Sequence, residues 1–224
     1  MQSWPLIATK QASVLASDWV IFTMAGLAVF LLLVVLIVFP LVRWRARAGQ
    51  AEPPQFKNNP PLEITWTVIP IVLVMGLFVY SFQAEARVDA TAIHPAVTVH
   101  VNAYRWGWTF RYEGGPSIGG ATTGPILGTP FAKPPELVLP LGETTHIELT
   151  SSDVDHSFWV PDFLFKRDAI PGQMSSFDLQ PDKLGSFVGR CAQFCGLDHA
   201  LMTFTVRVVS PDDYTRWLKG AKNS

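Results

Sequence analysis

The chain has 224 residues, of which 49% are hydrophobic and 16% are charged, with a formal net charge of −1 and two cysteines. A soluble domain usually carries about 25% charged residues, and a near-neutral balance gives no electrostatic reason to expect a nucleic-acid partner. Two cysteines cannot form a disulfide-stapled scaffold, a four-cysteine zinc site or a thiolate-held iron–sulfur cluster. Any metal bound here therefore needs other ligand types as well.

Two uncharged runs near the amino terminus predict membrane spans. Residues 19–42 form a run of 24 residues, and at ~1.5 Å per residue such a helix reaches about 36 Å, more than the ~30 Å hydrocarbon core of a bilayer. Residues 64–82 form a second run of 19 residues, in which Pro70 is tolerable because neighbouring helices can satisfy freed backbone groups. We therefore predict a two-helix hairpin, with transmembrane helices over residues 19–42 and 63–82.

A cleaved signal peptide is the competing interpretation of the first run. A signal peptide has an apolar region of only about 7 to 15 residues behind a basic segment, whereas this run is longer and is followed by basic residues. The charged residues of the connecting loop, residues 43–62, are Arg43, Arg45, Arg47, Lys57 and Glu52. The positive-inside rule makes this loop cytoplasmic. The tail of residues 1–18 and the domain of residues 83–224 are then expected on the periplasmic or extracellular side of the cell membrane.

Residues 83–224 are the size of one domain, and their 12 Lys and Arg against 15 Asp and Glu make the domain slightly acidic. Several short runs in this domain are typical of strands. The runs are residues 97–103, 136–139, 144–151, 186–190 and 203–209. Residues 114–135 are rich in Gly, Pro and Thr and are expected to form a long loop, and residues 211–219 are expected to be helical. This pattern predicts an antiparallel sandwich or barrel.

A cluster of potential metal ligands lies near the carboxyl terminus. Cys191, Cys195, His199 and Met202 are spaced C-x3-C-x3-H-x2-M, and His156 precedes them at the start of an expected strand. Thiolate, imidazole and thioether ligands together favour copper, because zinc rarely uses Met and hard cations prefer oxygen.

The number of cysteines bears on the kind of copper site. A blue-copper centre uses one Cys, two His and a weak axial Met, which would leave Cys191 or Cys195 without a role. Two thiolates can instead bridge a pair of copper ions, an arrangement suited to electron transfer. Two alternatives stay open at this point: a Cys191–Cys195 disulfide, and a zinc site formed by both cysteines with His156 and His199.

Four segments carry a resemblance to a known family. They are NNPPLEITWTVIP at 58–70, YRWGW at 104–108, HSFWVPDFLFKRDAIPG at 156–172 and CAQFCGLDHALM at 191–202. The chain resembles cytochrome c oxidase subunit II of the haem-copper terminal oxidases over nearly its whole length. This resemblance implies an N-terminal two-helix transmembrane hairpin followed by an all-β cupredoxin-like Greek-key barrel. It also implies two copper ions in a binuclear copper A centre, held by His156, Cys191, Cys195, His199, Met202 and the backbone carbonyl of Gln193.

The resemblance further implies a role in respiration. Electrons from cytochrome c would enter at Trp106, pass through the copper centre and reach a haem in subunit I, where oxygen is reduced to water and protons are translocated. Glu63 matches a glutamate near the mouth of a proton pathway of subunit I. The expected partners are subunit I, subunit III, cytochrome c and the lipid bilayer, with no nucleic acid. The chain is thus expected to be a subunit of an oxidoreductase and translocase, with no catalysis of its own.

Gln193 departs from the family pattern. The family commonly has Glu at this position, and that carboxylate helps to hold a magnesium ion at the interface with subunit I. A neutral amide is a much weaker partner for a hard cation, so a magnesium site is in doubt here. No C-x-x-C-H occurs in the sequence, so a fused c-type haem is not expected and the electron donor must be a separate molecule.

Several other residues have ordinary structural interpretations. An aromatic residue such as Trp106, expected on a short strand with Trp108, is usually core or rim packing, and Glu63 suits the start of a helix. His94, His100 and His146 have no partner pattern and receive no role. Four acidic residues could form a docking patch for a basic cytochrome c or simply a solvated face: Glu113, Asp153, Asp155 and Asp162.

Two other functions remain open from the sequence. A membrane-anchored copper chaperone of the thioredoxin-like type would show a βαβ pattern and would not need His199 and Met202. A quinol oxidase subunit II would share the hairpin and the barrel but would lack the copper ligands.

Overall fold

The computed structural model describes residues 7–45, 49, 55, 57–121 and 134–221. The chain divides into two compact units. One consists of residues 17–86, and the other combines residues 1–16 with residues 87–224.

The first unit contains most of two long helices, α1 (Lys10–Arg43) and α2 (Pro60–Val88). Both are long and apolar enough to cross a membrane, and their large apolar side chains are mostly exposed. The predicted spans lie inside these helices, but α1 begins at Lys10, so residues 10–18 of the expected tail are helical. Arg47 and Glu52 of the basic loop lie outside the described residues.

The sequence around Asn59 explains where α2 begins. The Asn59 side-chain oxygen accepts a hydrogen bond from the Leu62 amide at 3.4 Å, and Pro60 occupies the first helical position, where its missing N–H costs nothing. The Glu63 carboxylate accepts a hydrogen bond from the Asn59 amide at 3.1 Å. Glu63 thus has a local capping role at the start of this helix.

The described residues of the second unit form a β-sandwich of ten strands. The strands are β1 (Val97–Tyr104), β2 (Gly107–Tyr112), β3 (Ser117–Ala121), β4 (Glu136–Pro140), β5 (Thr145–Ser151), β6 (His156–Val160), β7 (Phe165–Ala169), β8 (Ser175–Leu179), β9 (Gly185–Cys191) and β10 (Thr203–Val209). One sheet has the order β3-β2-β1-β5-β8 and the other β4-β10-β9-β6-β7. Helix α3 (Pro211–Ala221) follows the last strand, close to the helix predicted over residues 211–219.

The expectation of a wholly antiparallel sandwich is wrong in two places. Strand β1 pairs with β5 in parallel, and β4 pairs with β10 in parallel. The chain moves to the other sheet at β4 and returns at β5, so β5 runs alongside β1 in the same direction. The expected loop over residues 114–135 is also partly wrong because it contains β3, while residues 122–133 lie outside the described part of the chain.

The core between the sheets is strongly aromatic. Phe204 lies at its centre, with ring centroids 4.8 Å from Phe158, 5.0 Å from Trp108 and 5.6 Å from Phe110. All four side chains are almost completely buried. Tilted and edge-on contacts of this kind are favourable for aromatic rings, so the strand ends are carried by a rigid scaffold.

The strand directions define two ends of the sandwich. At the end that we call the cysteine end, β1, β5 and β9 finish and β6 and β10 begin. At the opposite end, called the far end, β2, β6, β8 and β10 finish. Within the described residues of the β-sandwich unit, the only helix longer than one turn after β1 is α3, so the sandwich has no βαβ crossover. This topology contradicts a thioredoxin-like chaperone fold.

The segment just before α1 is bound to the far end of the sandwich. The Ala8 amide donates to the Asp162 carbonyl at 2.9 Å, and the Ala8 carbonyl accepts from the Asp182 amide at 3.1 Å. The Lys10 amide donates to the Gln180 carbonyl at 3.1 Å. Ala8 and Thr9 are fully buried. These residues therefore belong to the β-sandwich unit, which no sequence pattern indicated.

Candidate metal centre

The predicted ligands are carried by strand ends and by one loop. His156 is the first residue of β6, Cys191 is the last residue of β9, and Met202 lies immediately before β10. The Cys191 amide donates to the Met202 carbonyl at 2.9 Å. This bond extends the antiparallel β9–β10 pairing and closes the base of the loop of residues 192–201, which carries Cys195 and His199.

Two sulfur atoms form the centre of the cluster. The Sγ atoms of Cys191 and Cys195 are 3.9 Å apart. The Nδ1 atom of His156 lies 3.7 Å from the Cys191 sulfur, and the Nδ1 atom of His199 lies 3.5 Å from the Cys195 sulfur. Each sulfur thus has an imidazole nitrogen within 3.7 Å.

Two weaker donor groups complete the cluster. The carbonyl oxygen of Gln193 lies 3.2 Å from the Cys191 sulfur, and the thioether sulfur of Met202 lies 3.8 Å from the Cys195 sulfur. The structure therefore brings together all six residues predicted from the sequence. The Gln193 side chain, in contrast, is exposed.

Both cysteines are free and buried. A disulfide has its sulfurs about 2.05 Å apart, so the separation of 3.9 Å does not correspond to a bond. A hydrogen bond from Cys195 lowers the pKa of the Cys191 thiol, against the opposing effect of burial, and the same contact together with burial raises the pKa of Cys195. In the metal-free protein the pair therefore loses its first proton easily and its second with difficulty. A cationic metal would take the place of the remaining proton.

Asp153 binds the other side of the His156 ring. Its Oδ1 atom lies 2.9 Å from His156 Nε2 and accepts from the Val154 amide at 2.7 Å. Its Oδ2 atom accepts from the Arg105 amide at 2.8 Å and from Arg105 Nε at 3.2 Å. Burial alone would raise the pKa of Asp153, but these hydrogen bonds lower it to about 2. Burial would lower the pKa of His156. The contacts with Cys191 and Asp153 outweigh burial, so the pKa of His156 is raised.

Trp106 packs directly on the cysteine loop. It lies in the turn between β1 and β2, so the expectation that it sits on a strand is wrong. Its indole N–H donates to the Cys195 carbonyl at 3.2 Å. Gly196 has a φ of +120°, and a Cβ atom there would lie 3.1 Å from the Trp106 ring. The loop can therefore approach the indole this closely because residue 196 is glycine.

The four predicted docking acids do not form one patch. Glu113 follows the end of β2, and Asp162 follows the end of β6, so both lie at the far end. Asp155 is exposed at the cysteine end, whereas Asp153 points inward to His156. The expectation that Asp153 lies on a solvated face is therefore wrong, and the spacing D-x-x-H is the sequence signal available for its contact with His156.

The three remaining histidines lie away from the cluster, as expected. His94 is exposed in the segment before β1. His100 pairs with Glu148 at 2.6 Å on the outer face of the first sheet. On the same face, His146 pairs with Asp178 at 2.7 Å.

The donor set fits soft metal ions better than a single zinc ion. The ligand atoms of His156, Cys191 and Cys195 lie within 4.8 Å of one another, and His199 is not a member of this group. One tetrahedral ion would need all four ligand atoms around a single point. The sulfur separation of 3.9 Å is shorter than twice a metal–sulfur bond of about 2.3 Å, so each of two ions could contact both thiolates.

Comparison with known proteins assigns the family. The family model of the cytochrome c oxidase subunit II transmembrane domain matches residues 8–84, and that of the periplasmic domain matches residues 132–209. A probable cytochrome c oxidase subunit 2 of Streptomyces avermitilis is 36% identical, over 96% of this chain and 77% of the relative. The cytochrome c oxidase subunit 2 of Corynebacterium diphtheriae is 34% identical, over 96% of this chain and 75% of the relative.

A solved structure agrees with this assignment. The crystal structure of the periplasmic domain of subunit II of cytochrome oxidase (CoxB) of Bradyrhizobium japonicum is 28% identical. It covers 59% of this chain and 98% of its own, with a TM-score of 0.50. The predicted fold class, two apolar helices followed by a cupredoxin-like β-domain, is confirmed. The chain belongs to the cytochrome c oxidase subunit II family and is a membrane-bound subunit of an oxidoreductase complex.

Proposed function

We propose that this chain is the copper-bearing subunit II of a haem-copper terminal oxidase, which accepts electrons from cytochrome c and passes them to a haem in subunit I. The observation that carries the proposal is the placement of two buried cysteine sulfurs, 3.9 Å apart, with one imidazole beside each. Family membership implies copper binding, and this arrangement supports a binuclear centre in particular.

Each donor group has a distinct part in the proposed centre. Cys191 and Cys195 would act as bridging thiolates, and His156 and His199 would each close one side. The Gln193 carbonyl and the Met202 thioether are the weaker ligands, one beside each cysteine. Two copper ions held by these groups would supply a one-electron carrier.

The surroundings of the donors favour electron transfer over substrate chemistry. His156 and Met202 are fully buried, and both cysteines are nearly so. The donors lie at the ends of hydrogen-bonded strands or in a loop closed at its base, so little has to move when the charge changes. Six donor groups also leave no open position for a substrate. We therefore propose that oxygen reduction takes place in subunit I and not on this chain.

We further propose that electrons enter at Trp106, because its indole contacts the backbone of Cys195. The domain over residues 83–224 would lie on the periplasmic or extracellular side, and the loop over residues 43–62 in the cytoplasm. Subunit I, subunit III, cytochrome c and the lipid bilayer are the proposed partners. The role of Glu63 near a proton pathway rests on the family resemblance. The exposed amide of Gln193 offers no carboxylate for magnesium, so we do not include that ion.

The quinol oxidase alternative lacks support from the site. A subunit that receives electrons without copper has no need of two thiolates, two imidazoles and a thioether within contact distance. The arrangement of these five side chains therefore favours a cytochrome c oxidase.

Copper analysis of the purified full-length chain tests the proposal. After reconstitution with copper, we expect two copper ions per chain and an electron paramagnetic resonance spectrum in which one unpaired electron couples equally to both. Reduced cytochrome c should then reduce the loaded protein, and a quinol should not. One copper ion per chain, or preferential retention of zinc, would contradict the binuclear centre.

A further inference from the structure

Asp153 uses both carboxylate oxygens within the protein. Oδ1 faces His156 Nε2 and the Val154 amide, while Oδ2 accepts two hydrogen bonds from Arg105, one from its backbone and one from its side chain. The Asp153 side chain is only 23% exposed. A carboxylate with four donors around it is committed to these contacts rather than to a partner in solution.

These contacts connect the proposed site of electron entry with the proposed metal centre. Arg105 and Trp106 form the turn between β1 and β2, and the Trp106 indole donates to the Cys195 carbonyl at 3.2 Å. His156 in turn lies 3.7 Å from the sulfur of Cys191. Asp153 thus connects the turn that carries Trp106 with a proposed copper ligand.

Resting on the proposed function, we propose that Asp153 is a positioning residue that fixes the His156 ring and the Trp106 turn relative to each other. By holding Nε2, the carboxylate keeps Nδ1 directed at the Cys191 sulfur and raises the basicity of the imidazole, as outer carboxylates commonly do for metal-bound histidines. By holding Arg105, the same group fixes the turn from which the indole reaches the cysteine loop. Its negative charge serves inside the protein and not as a docking charge.

Asparagine at this position separates the two roles. The Asn side chain has the same shape but one acceptor oxygen and one donor NH2 group. Because every neighbour of Asp153 is a donor, the NH2 group must face either His156 or the amide of Arg105, and the hydrogen bonds on that side are lost. The variant Asp153→Asn therefore breaks the connection with little change in volume.

Asp155 provides the matched control. It lies two residues away, it is exposed, and it is also a carboxylate at the cysteine end. Asp155→Asn removes the same charge from nearly the same place without touching His156 or Arg105. A role of Asp153 as a docking charge predicts similar behaviour of the two variants, and a positioning role predicts different behaviour.

The experiment compares full-length, copper-loaded proteins. For Asp153→Asn we expect a loss of copper affinity of about 10- to 100-fold, a changed copper hyperfine coupling and a shifted reduction potential. We also expect slower reduction of the copper centre at saturating concentrations of reduced cytochrome c, where the rate does not depend on salt. For Asp155→Asn we expect unchanged affinity, hyperfine coupling and potential, with a change only in the salt-dependent bimolecular rate. Circular dichroism of each metal-free protein checks the fold.

Arg105→Ala supplies a second variant with little risk to folding, because its side chain is half-exposed. It removes the side-chain contact with Asp153 but keeps the backbone one, so we expect unchanged copper affinity with slower reduction at saturating donor. If Asp153→Asn and Arg105→Ala both behave like Asp155→Asn while the unsubstituted protein binds two copper ions, the inference is overturned and the proposed function stands. If the unsubstituted protein does not bind two copper ions, both are overturned.

Discussion

The two ends of the β-sandwich share the same strands but are stabilised by different interactions. At the cysteine end, sulfur, imidazole and carboxylate groups converge around Cys191 and Cys195, and the bonds are mostly made by side chains. At the far end, the segment around Ala8 is fixed by backbone hydrogen bonds to residues 162, 180 and 182. Helix α3 also packs there, with Trp217 on Tyr112 at a centroid distance of 5.0 Å.

This difference implies that stability and metal binding depend on different parts of the domain. The aromatic core between the two ends carries the stability of the domain, so the loop at the cysteine end can be specialised for metal binding. Substitution of a metal donor should therefore abolish metal binding without changing the fold. Substitutions at the far end should instead lower the free energy of unfolding without changing the metal affinity.

The largest effect is expected for Cys195→Ser at the cysteine end. Cys195 lies in contact distance of Cys191, His199 and Met202, so its loss removes one bridge and disturbs both sides of the proposed centre. We expect at most one copper ion per chain and no electron shared between two metals. The free energy of unfolding of the metal-free protein should change by less than about 1 kcal/mol. Metal analysis and denaturant unfolding measure the two quantities.

Met202→Leu is the control for this substitution. It removes the thioether but conserves the volume of a fully buried side chain, at a cost in stability of less than about 1.5 kcal/mol. Since Met202 is a weak ligand, two copper ions should remain, with a shifted reduction potential. Retention of two coppers by Cys195→Ser would contradict the bridging role.

The next largest effect is expected at the far end, for Thr9→Val. The Thr9 side chain is fully buried, and its Oγ1 atom accepts a hydrogen bond from the Ala12 amide at 3.0 Å, which caps the start of α1. Valine has nearly the same shape but leaves this amide without its partner. We expect a loss of about 1 to 3 kcal/mol in the free energy of unfolding, with unchanged copper affinity.

Thr145→Val makes the same chemical change at another buried site of the far end. The Thr145 hydroxyl is buried without a hydrogen-bond partner, so its removal leaves no acceptor or donor unpaired. Valine is also favourable in a strand, and the stability should stay the same or rise slightly. Equal destabilisation by the two Thr→Val variants would show that the hydrogen bond of Thr9 contributes nothing.

The fold was only partly predictable because strand pairing depends on contacts distant in sequence. Strand β10 alternates clearly between buried and half-buried residues, and its predicted bounds are correct. Strand β7 has the sequence FKRDA and β3 the sequence SIGGA, and neither shows a convincing apolar alternation. Such edge strands are stabilised by their neighbours rather than by their own propensities. The parallel pairing of β1 with β5 likewise follows from the path of the whole chain.

The candidate metal centre was more predictable than the fold, because five of its six donors lie within twelve residues of sequence. Their residue types favour copper over zinc and over hard cations. The contact between Asp153 and His156 is not predictable from the residue type, since an acidic residue near a turn is usually exposed. Whether a carboxylate faces solvent or a histidine depends on the backbone of residues 151–156, and the sequence pattern does not reveal that.

The smallest effect is expected for Ser210→Ala, again at the far end. The Ser210 hydroxyl accepts from the Asp213 amide at 3.2 Å and donates to its carboxylate at 2.7 Å, which caps α3. Loss of the cap should cost about 1 kcal/mol at neutral pH. The Ser210 hydrogen bond, together with Arg216, lowers the pKa of Asp213. The stabilisation that comes from the ionised Asp213 carboxylate is therefore fully present above its unfolded-state pKa of about 4. It is lost as the pH falls through the lower folded pKa.

The stability gap between the unsubstituted protein and Ser210→Ala should therefore narrow at acidic pH without vanishing, because the amide still donates to the hydroxyl. Denaturant unfolding at neutral and acidic pH measures this gap. Thr215→Ala removes a hydroxyl from the same helix. This hydroxyl donates to the Pro211 carbonyl and does not contact Asp213, so its loss should have little effect on stability at either pH. A gap that widens at acidic pH would contradict the assigned cap, whereas a loss of copper affinity in Ser210→Ala would show that the two ends are not energetically independent.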